Sequence, residues 1–186
     1  MIIVYINYSY CYQKIIKERN HKTMSKENLT LNEIYQTSVN IERNASEFYK
    51  KAADNASDEE VKTLFIKLSR MEDDHAKTFS EMRGQLKDEE GRENVFDRGD
   101  EMSALLVYGK DLYGWEGKAG PDKPLTGKED RLDLLKSALE AEKNTVIFYT
   151  MIKQYSSSQS RKNDIDNIIL EEMRHIAAIE DTISNN

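Results

Sequence analysis

The sequence predicts an all-α protein, a four-helix bundle built in two halves with a long crossover between helices 2 and 3. Three observations carry that prediction. All eight glycines and both prolines fall between Gly84 and Gly127, and these residues interrupt helices more strongly than any others. The flanking segments carry apolar residues at i, i+3, i+4 and i+7, the spacing of a helix with one buried face. Polar capping and turn signatures then divide each flank in two.

Thr30-Leu31-Asn32-Glu33 has the form of a capping box and opens helix 1, expected over 31–54. Its stripe is Ile34, Ser38, Ile41, Ala45, Phe48 and Ala52, with Glu42 and Tyr49 beside it. Asp54-Asn55-Ala56 supplies a short polar turn. Ser57-Asp58-Glu59-Glu60 reads as a second capping box, and helix 2 is expected over 58–86 with Val61, Leu64, Phe65, Leu68, Glu72, His75, Phe79 and Met82 on one face. Thr126-Gly127-Lys128-Glu129 reads as a third box. Helix 3 is expected over 129–155, carrying Leu132, Leu135, Leu139, Glu142, Val146, Tyr149 and Ile152. A serine-rich break at 156–160 precedes helix 4, expected over 160–183, with Ile165, Ile168, Ile169, Glu172, His175, Ile176 and Ile179. Short hairpins inside each half and one long connection between halves match a known bundle topology. The crossover, 87–128, is long enough to hold structure of its own. A short helix is expected over 100–113, and Trp115 is expected to pack over the bundle.

Residues 1–29 stand apart as an extension. Met1 to Tyr12 are apolar and aromatic, but no basic residue precedes them and no small-residue cleavage site follows, which argues against a secretory signal. Met24-Ser-Lys-Glu would also serve as a chain start. The single cysteine, Cys11, excludes a disulfide within the chain and a Cys-ligated zinc or iron centre. It fits a reducing compartment, and a cytoplasmic location is expected. A net charge of −7 without a basic patch argues against nucleic acid as a partner. No run approaches the ~18 apolar residues a membrane helix needs.

The chemistry lies in an internal repeat at an offset of 100 residues. Glu42, Asn44, Phe48 and Tyr49 recur as Glu142, Asn144, Phe148 and Tyr149, and Glu72 and His75 recur as Glu172 and His175. Two of the chain's three histidines are thus a repeat pair. In a helix, residues three apart are surface neighbours, so each Glu-x-x-His sets a carboxylate beside an imidazole. Both pairs continue an apolar stripe, where unpartnered carboxylates are costly. A lone Glu-x-x-His usually marks a solvated face. Two at a matched offset, each preceded by Glu-x6-Tyr, match the di-metal arrangement of bundles in which two helices give one Glu each and two give Glu-x-x-His. The expected metal ligands are Glu42, Glu72, His75, Glu142, Glu172 and His175. Glu42 with His75 and Glu142 with His175 are expected end-on, with Glu72 and Glu172 bridging. This oxygen–nitrogen set suits two iron ions and also accepts manganese. Tyr49 and Tyr149, two turns beyond Glu42 and Glu142, are expected to orient ligand carboxylates. Glu47, Asp73, Asp74, Glu140 and Glu171 read as surface charges, with Glu171 the best placed to support a ligand.

These motifs resemble the ferritin-like superfamily, and within it the rubrerythrin-type di-iron domain, over Leu31 to Ile183. The resemblance implies an antiparallel bundle, a di-iron centre in the six-residue set above, and chemistry with hydrogen peroxide or dioxygen, with Glu72, Glu172, Tyr49 and Tyr149 at the reacting centre. The chain departs from the family in two ways. It has no four-cysteine rubredoxin-like domain, so the implied electron donor is a separate rubredoxin-like protein. Thr145 stands where rubrerythrins carry a further glutamate, one turn after the helix-3 ligand. The remaining six-ligand set is equally similar to bacterioferritin. The expected function is therefore a peroxide- or oxygen-reducing di-iron oxidoreductase, expected as a homodimer. Iron oxidation and storage, or a metal-stabilised interaction bundle without catalysis, are the alternatives.

Overall fold

The computed structural model describes residues 30–86, 125–154, 156 and 158–185. Within them are four helices: α1 Leu31–Asn55, α2 Glu59–Gly84, α3 Arg131–Lys153 and α4 Gln159–Ser184. The extension 1–29, the short helix expected over 100–113 and Trp115 lie outside the described residues. Among the described residues no helix is long and apolar enough to cross a membrane.

Each helix starts where a side chain can satisfy free backbone N–H groups. At α1 the capping box closes as its sequence requires: Thr30 accepts from the Glu33 N–H, and Glu33 accepts from the Thr30 N–H at 2.8 Å. The other two boxes differ from their sequence reading. The α2 cap is Asp58 and not Ser57, because the Asp58 carboxylate takes both the Glu60 and Val61 N–H groups, at 2.9 and 3.0 Å. At α3 the Thr126–Glu129 pair does close, with Glu129 accepting from the Thr126 and Gly127 N–H groups. It folds a turn ahead of the helix instead of opening it. Gly127 takes the left-handed φ of 76° there, a conformation glycine adopts without steric cost. Asp130 then caps α3 by accepting from the Asp133 N–H at 2.8 Å. Ser158 caps α4.

The buried side chains form two apolar clusters, and their order along each helix gives the topology. One cluster holds Ile34, Tyr35, Phe79, Met82, Tyr149, Ile152, Ile165 and Ile168. The other holds Phe48, Ala52, Val61, Phe65, Leu134, Leu135, Ala138 and Ile179. Helices α1 and α4 therefore run from the first cluster to the second, and α2 and α3 run back. Each hairpin is antiparallel, while α2 and α3 are parallel. The end of α2 and the start of α3 thus lie at opposite ends of the bundle. Helices of 26 residues span ~39 Å at 1.5 Å per residue, which is why the halves need a long crossover and the hairpins do not. The helices pack most extensively in the pairs α1–α2 and α3–α4.

One sequence-derived face shifts. Leu132, expected in the core, is exposed, and Leu134 and Ala138 are buried in its place beside Leu135. With the α3 start at Arg131, Leu132 sits in the first turn and points away from the bundle axis.

Candidate metal centre

Between the two apolar clusters lies a layer of charge. Glu42 comes from α1, Glu72 and His75 from α2, Glu142 from α3, and Glu172 and His175 from α4; none is more than 3% exposed. The repeat places them at one level because each half crosses the layer once in each direction. The i, i+3 pairs meet as helix geometry requires: His75 Nδ1 lies 3.1 Å from Glu72 Oε2, and His175 Nδ1 lies 3.0 Å from Glu172 Oε2. The halves also interlock. His75 Nδ1 is 3.0 Å from Glu172 Oε1, and His175 Nδ1 is 3.1 Å from Glu72 Oε1. The two rings stack with centroids 5.6 Å apart.

Two overlapping groups of potential ligands result. Glu42, Glu72, His75 and Glu172 bring one donor atom each within 4.8 Å of one another, and so do Glu72, Glu142, Glu172 and His175. Glu72 and Glu172 belong to both groups. Glu42 with His75, and Glu142 with His175, belong to one each. A pair of adjacent cations would find this same division of end-on and shared carboxylates.

The donor atoms fit such ions better than they fit one another. Glu42 Oε2, Glu72 Oε1, both Glu172 oxygens and both His175 ring nitrogens are buried without a hydrogen bond. The close N···O approaches at His175 Nδ1 fall off the hydrogen-bonding direction, so they give charge proximity only. Buried polar groups in native proteins are overwhelmingly paired, and five of these atoms, all but His175 Nε2, face one another in the layer and point to a species that binds several at once.

Without cations, protons neutralise the layer. Burial, then the charges of Glu172 and Glu72, hold the Glu42 carboxyl well above the usual carboxylate range. Burial, then Glu172, pushes Glu142 up to about 8. Burial alone would lower His175, but the facing carboxylates of Glu142, Glu172 and Glu72 outweigh it and raise the imidazole to about 12. His75 moves the same way: Glu172 and Glu72 outweigh burial and hold it well above its ordinary value. Mutual repulsion among buried carboxylates is thus relieved by extra protons, each of which a metal ion can replace.

The tyrosines serve opposite halves. Tyr49 donates to Glu142 Oε1 and Tyr149 donates to Glu42 Oε1. Their sequence signal was the seven-residue spacing to Glu42 and Glu142, but seven residues is ~10.5 Å along the axis, too far for a same-helix partner. Helical side chains lean toward the N-terminus, so each ring tilts back to the charged layer and meets the glutamate of the antiparallel neighbour. Burial, then the accepting glutamate, raises both phenols, so both keep the proton they donate. Tyr49 stacks on Phe65 and Tyr149 packs on Phe79, which holds the rings in place.

Other polar groups are close by. Glu171 reaches His75 Nε2 at 2.8 Å. Thr145 is buried, and its hydroxyl donates to the Ala141 carbonyl at 3.1 Å within its own helix. Sequence reasoning passed over Ser46 and Ser69, which are buried and 3.3 Å apart across α1 and α2. Their signal is a polar residue at a core position in each of two facing helices. Asp73 and Lys50 form an exposed ion pair, in keeping with Asp73 as a surface charge.

Comparison with known proteins points the same way. The sequence model of the rubrerythrin family matches residues 33–113, which covers α1 from Glu33 onward, all of α2, and the contributors Glu42, Glu72 and His75. No curated protein matches the chain. Among solved structures, a candidate ferritin-like diiron-carboxylate protein from Thermotoga maritima superposes with a TM-score of 0.59 at 18% identity. The match covers 84% of this chain and 96% of that one, and it shows a shared ferritin-like fold.

Proposed function

We propose that this chain, which is similar to the rubrerythrin family over residues 33–113 and shares a ferritin-like fold, is a di-iron oxidoreductase that reduces hydrogen peroxide or dioxygen. The observation that carries the reading is the pair of overlapping Glu/His groups sharing Glu72 and Glu172 in a fully buried layer. Glu42 and His75 would hold one ion and Glu142 and His175 the other, with Glu72 and Glu172 available to both. Two ferrous ions, when bound there, supply one electron each, matching the two electrons and two protons that convert peroxide to two waters.

The chain's own residues prepare that chemistry. Tyr149 and Tyr49 bind one oxygen of Glu42 and Glu142 and so fix which oxygen faces inward. The apolar clusters on both sides keep bulk water from the layer, which strengthens every electrostatic interaction inside it. The Glu/His groups hold no electron-transfer site of their own, and we expect a donor such as a rubredoxin-like protein to supply electrons. We expect the protein to act in the cytoplasm as a homodimer.

Elemental analysis of protein purified without chelator tests the first step: about two irons per chain are expected, lost in Glu72→Ala/Glu172→Ala. Ferrous-loaded protein should then consume peroxide faster than free ferrous ion does. Equal rates would reject the oxidoreductase reading. Thr145, in place of a further glutamate, favours a second reading as a ferritin-like iron oxidation and storage protein. That function needs a closed shell of many subunits, so a small oligomer in solution would reject it.

A further inference from the structure

The internal repeat is broken at one position beside the charged layer. His75 turns Nδ1 toward Glu72 and Glu172, and its other nitrogen, Nε2, meets Glu171 Oε2 at 2.8 Å. The equivalent contact for His175 would come from the residue 100 positions before Glu171, which is Met71. A thioether is a weak acceptor and carries no charge. His175 Nε2 is indeed buried with no hydrogen-bond partner. Every other member of the repeat is matched: Glu42 with Glu142, Glu72 with Glu172, His75 with His175, Tyr49 with Tyr149.

The difference bears on how each imidazole presents itself to a cation. A histidine that binds metal through Nδ1 must carry its proton on Nε2. A carboxylate accepting from Nε2–H fixes that tautomer, holds the ring plane and makes Nδ1 more basic. Glu171 does this for His75. The side chain is half-exposed while the imidazole it meets is buried, so its carboxylate keeps much of its hydration and costs little to hold beside the site. His175 has no such partner, and neither its tautomer nor its ring plane is fixed from behind.

We infer that Glu171 is a positioning residue that makes the two metal positions unequal, the one at Glu42 and His75 binding its ion first and more tightly. The inference rests on the di-metal reading and adds an order of filling to it. Loss of an outer partner of a ligating histidine typically lowers metal affinity ~10–100-fold, so the two positions should differ by a factor in that range.

Anaerobic titration of the chelator-treated full chain with Co(II), read by its visible ligand-field bands and by calorimetry, tests this. The unaltered protein should bind two ions in separate steps. Glu171→Ala should weaken the tighter step ~10–100-fold and leave the weaker one in place, merging the two. Glu171→Gln, whose amide oxygen can still accept from Nε2–H, should restore part of the separation. Met71→Glu should tighten the weaker step. Metal-free circular dichroism melts of the variants establish that they fold. Two equal steps in the unaltered protein, or unchanged steps in Glu171→Ala, would overturn the inference while leaving a two-ion site standing. Fewer than two ions bound by the unaltered protein would overturn the di-metal reading itself, and this inference with it.

Discussion

Raising the pH from 6.5 to 8 should destabilise the metal-free protein and stabilise the metal-loaded one. In the folded chain Glu142 titrates at about 8 instead of 4.5, and His175 at about 12 instead of 6.5. Both shifts are upward, so between pH 6.5 and 8 the folded state binds more protons than the unfolded state. Stability then falls as pH rises, by ~1.4 kcal/mol per pH unit for each excess proton. Glu142 alone contributes about one proton across this interval, and His175, already deprotonating when unfolded, contributes up to one more. For these two groups the expected loss is roughly 2–4 kcal/mol over 1.5 pH units, against a total of ~5–15 kcal/mol for an ordinary domain; Glu42 and His75, raised in the same direction, add to it. For a bundle of this size that is on the order of 10 °C in melting temperature. The groups held low, Asp73 and Glu129, are exposed and titrate below this window. Metal reverses the sign. Ions replace the protons, so their affinity rises with pH, and a ligand bound only by the folded state stabilises it in proportion to the logarithm of its affinity. Thermal melts at 222 nm, in chelator and with saturating metal, would show the two slopes. A metal-free melting temperature that is flat or rises from pH 6.5 to 8 would refute the protonated-layer account.

Other substitutions test particular contacts. Tyr49→Phe leaves a Glu142 oxygen without its donor, and Tyr149→Phe does the same to Glu42; each should weaken metal binding ~10-fold or more, read by competition with a chelator. Asp58→Ala should cost ~1 kcal/mol in denaturant unfolding, because two N–H groups lose their acceptor. Ser57→Ala should stay within ~0.5 kcal/mol, and a reversal of the two would restore Ser57 as the cap. Leu135→Ala, at a fully buried position, should cost ~2–5 kcal/mol. Leu132→Ala, at an exposed one, should stay within ~0.5 kcal/mol.

The sequence made most of the site legible because a repeat is a comparison the chain makes with itself. Glu42, Glu72 and His75 could each be dismissed as surface charge, but their images at 142, 172 and 175 could not. The structure brings all six into one layer. The partners of the tyrosines were not legible. Spacing along one helix tells which face Tyr49 occupies but not which neighbour lies across from it, and Glu142 is reached only through the antiparallel packing of α1 on α3. Caps failed for a related reason. Ser57 and Asp58 are both good N-caps, and choosing between them depends on where the chain leaves the preceding turn. The α3 start was misplaced because the Thr126–Glu129 box is satisfied locally, ahead of the helix.

The cross-pairing has a consequence for folding as well as for chemistry. Neither hairpin holds a complete group. The α1–α2 pair supplies Glu42, Glu72 and His75 but needs Glu172, and the α3–α4 pair supplies Glu142, Glu172 and His175 but needs Glu72. Each hairpin also lacks its phenol donor, because Tyr49 serves Glu142 and Tyr149 serves Glu42. Closing the charged layer and docking the halves are therefore one event. The buried carboxylates oppose that event when only protons are present and favour it when cations are. A bundle stabilised by apolar contacts alone would do better with leucine at all six positions. A repeated set of buried acids and imidazoles, linked across halves by two tyrosines, is explained by the ions it can hold.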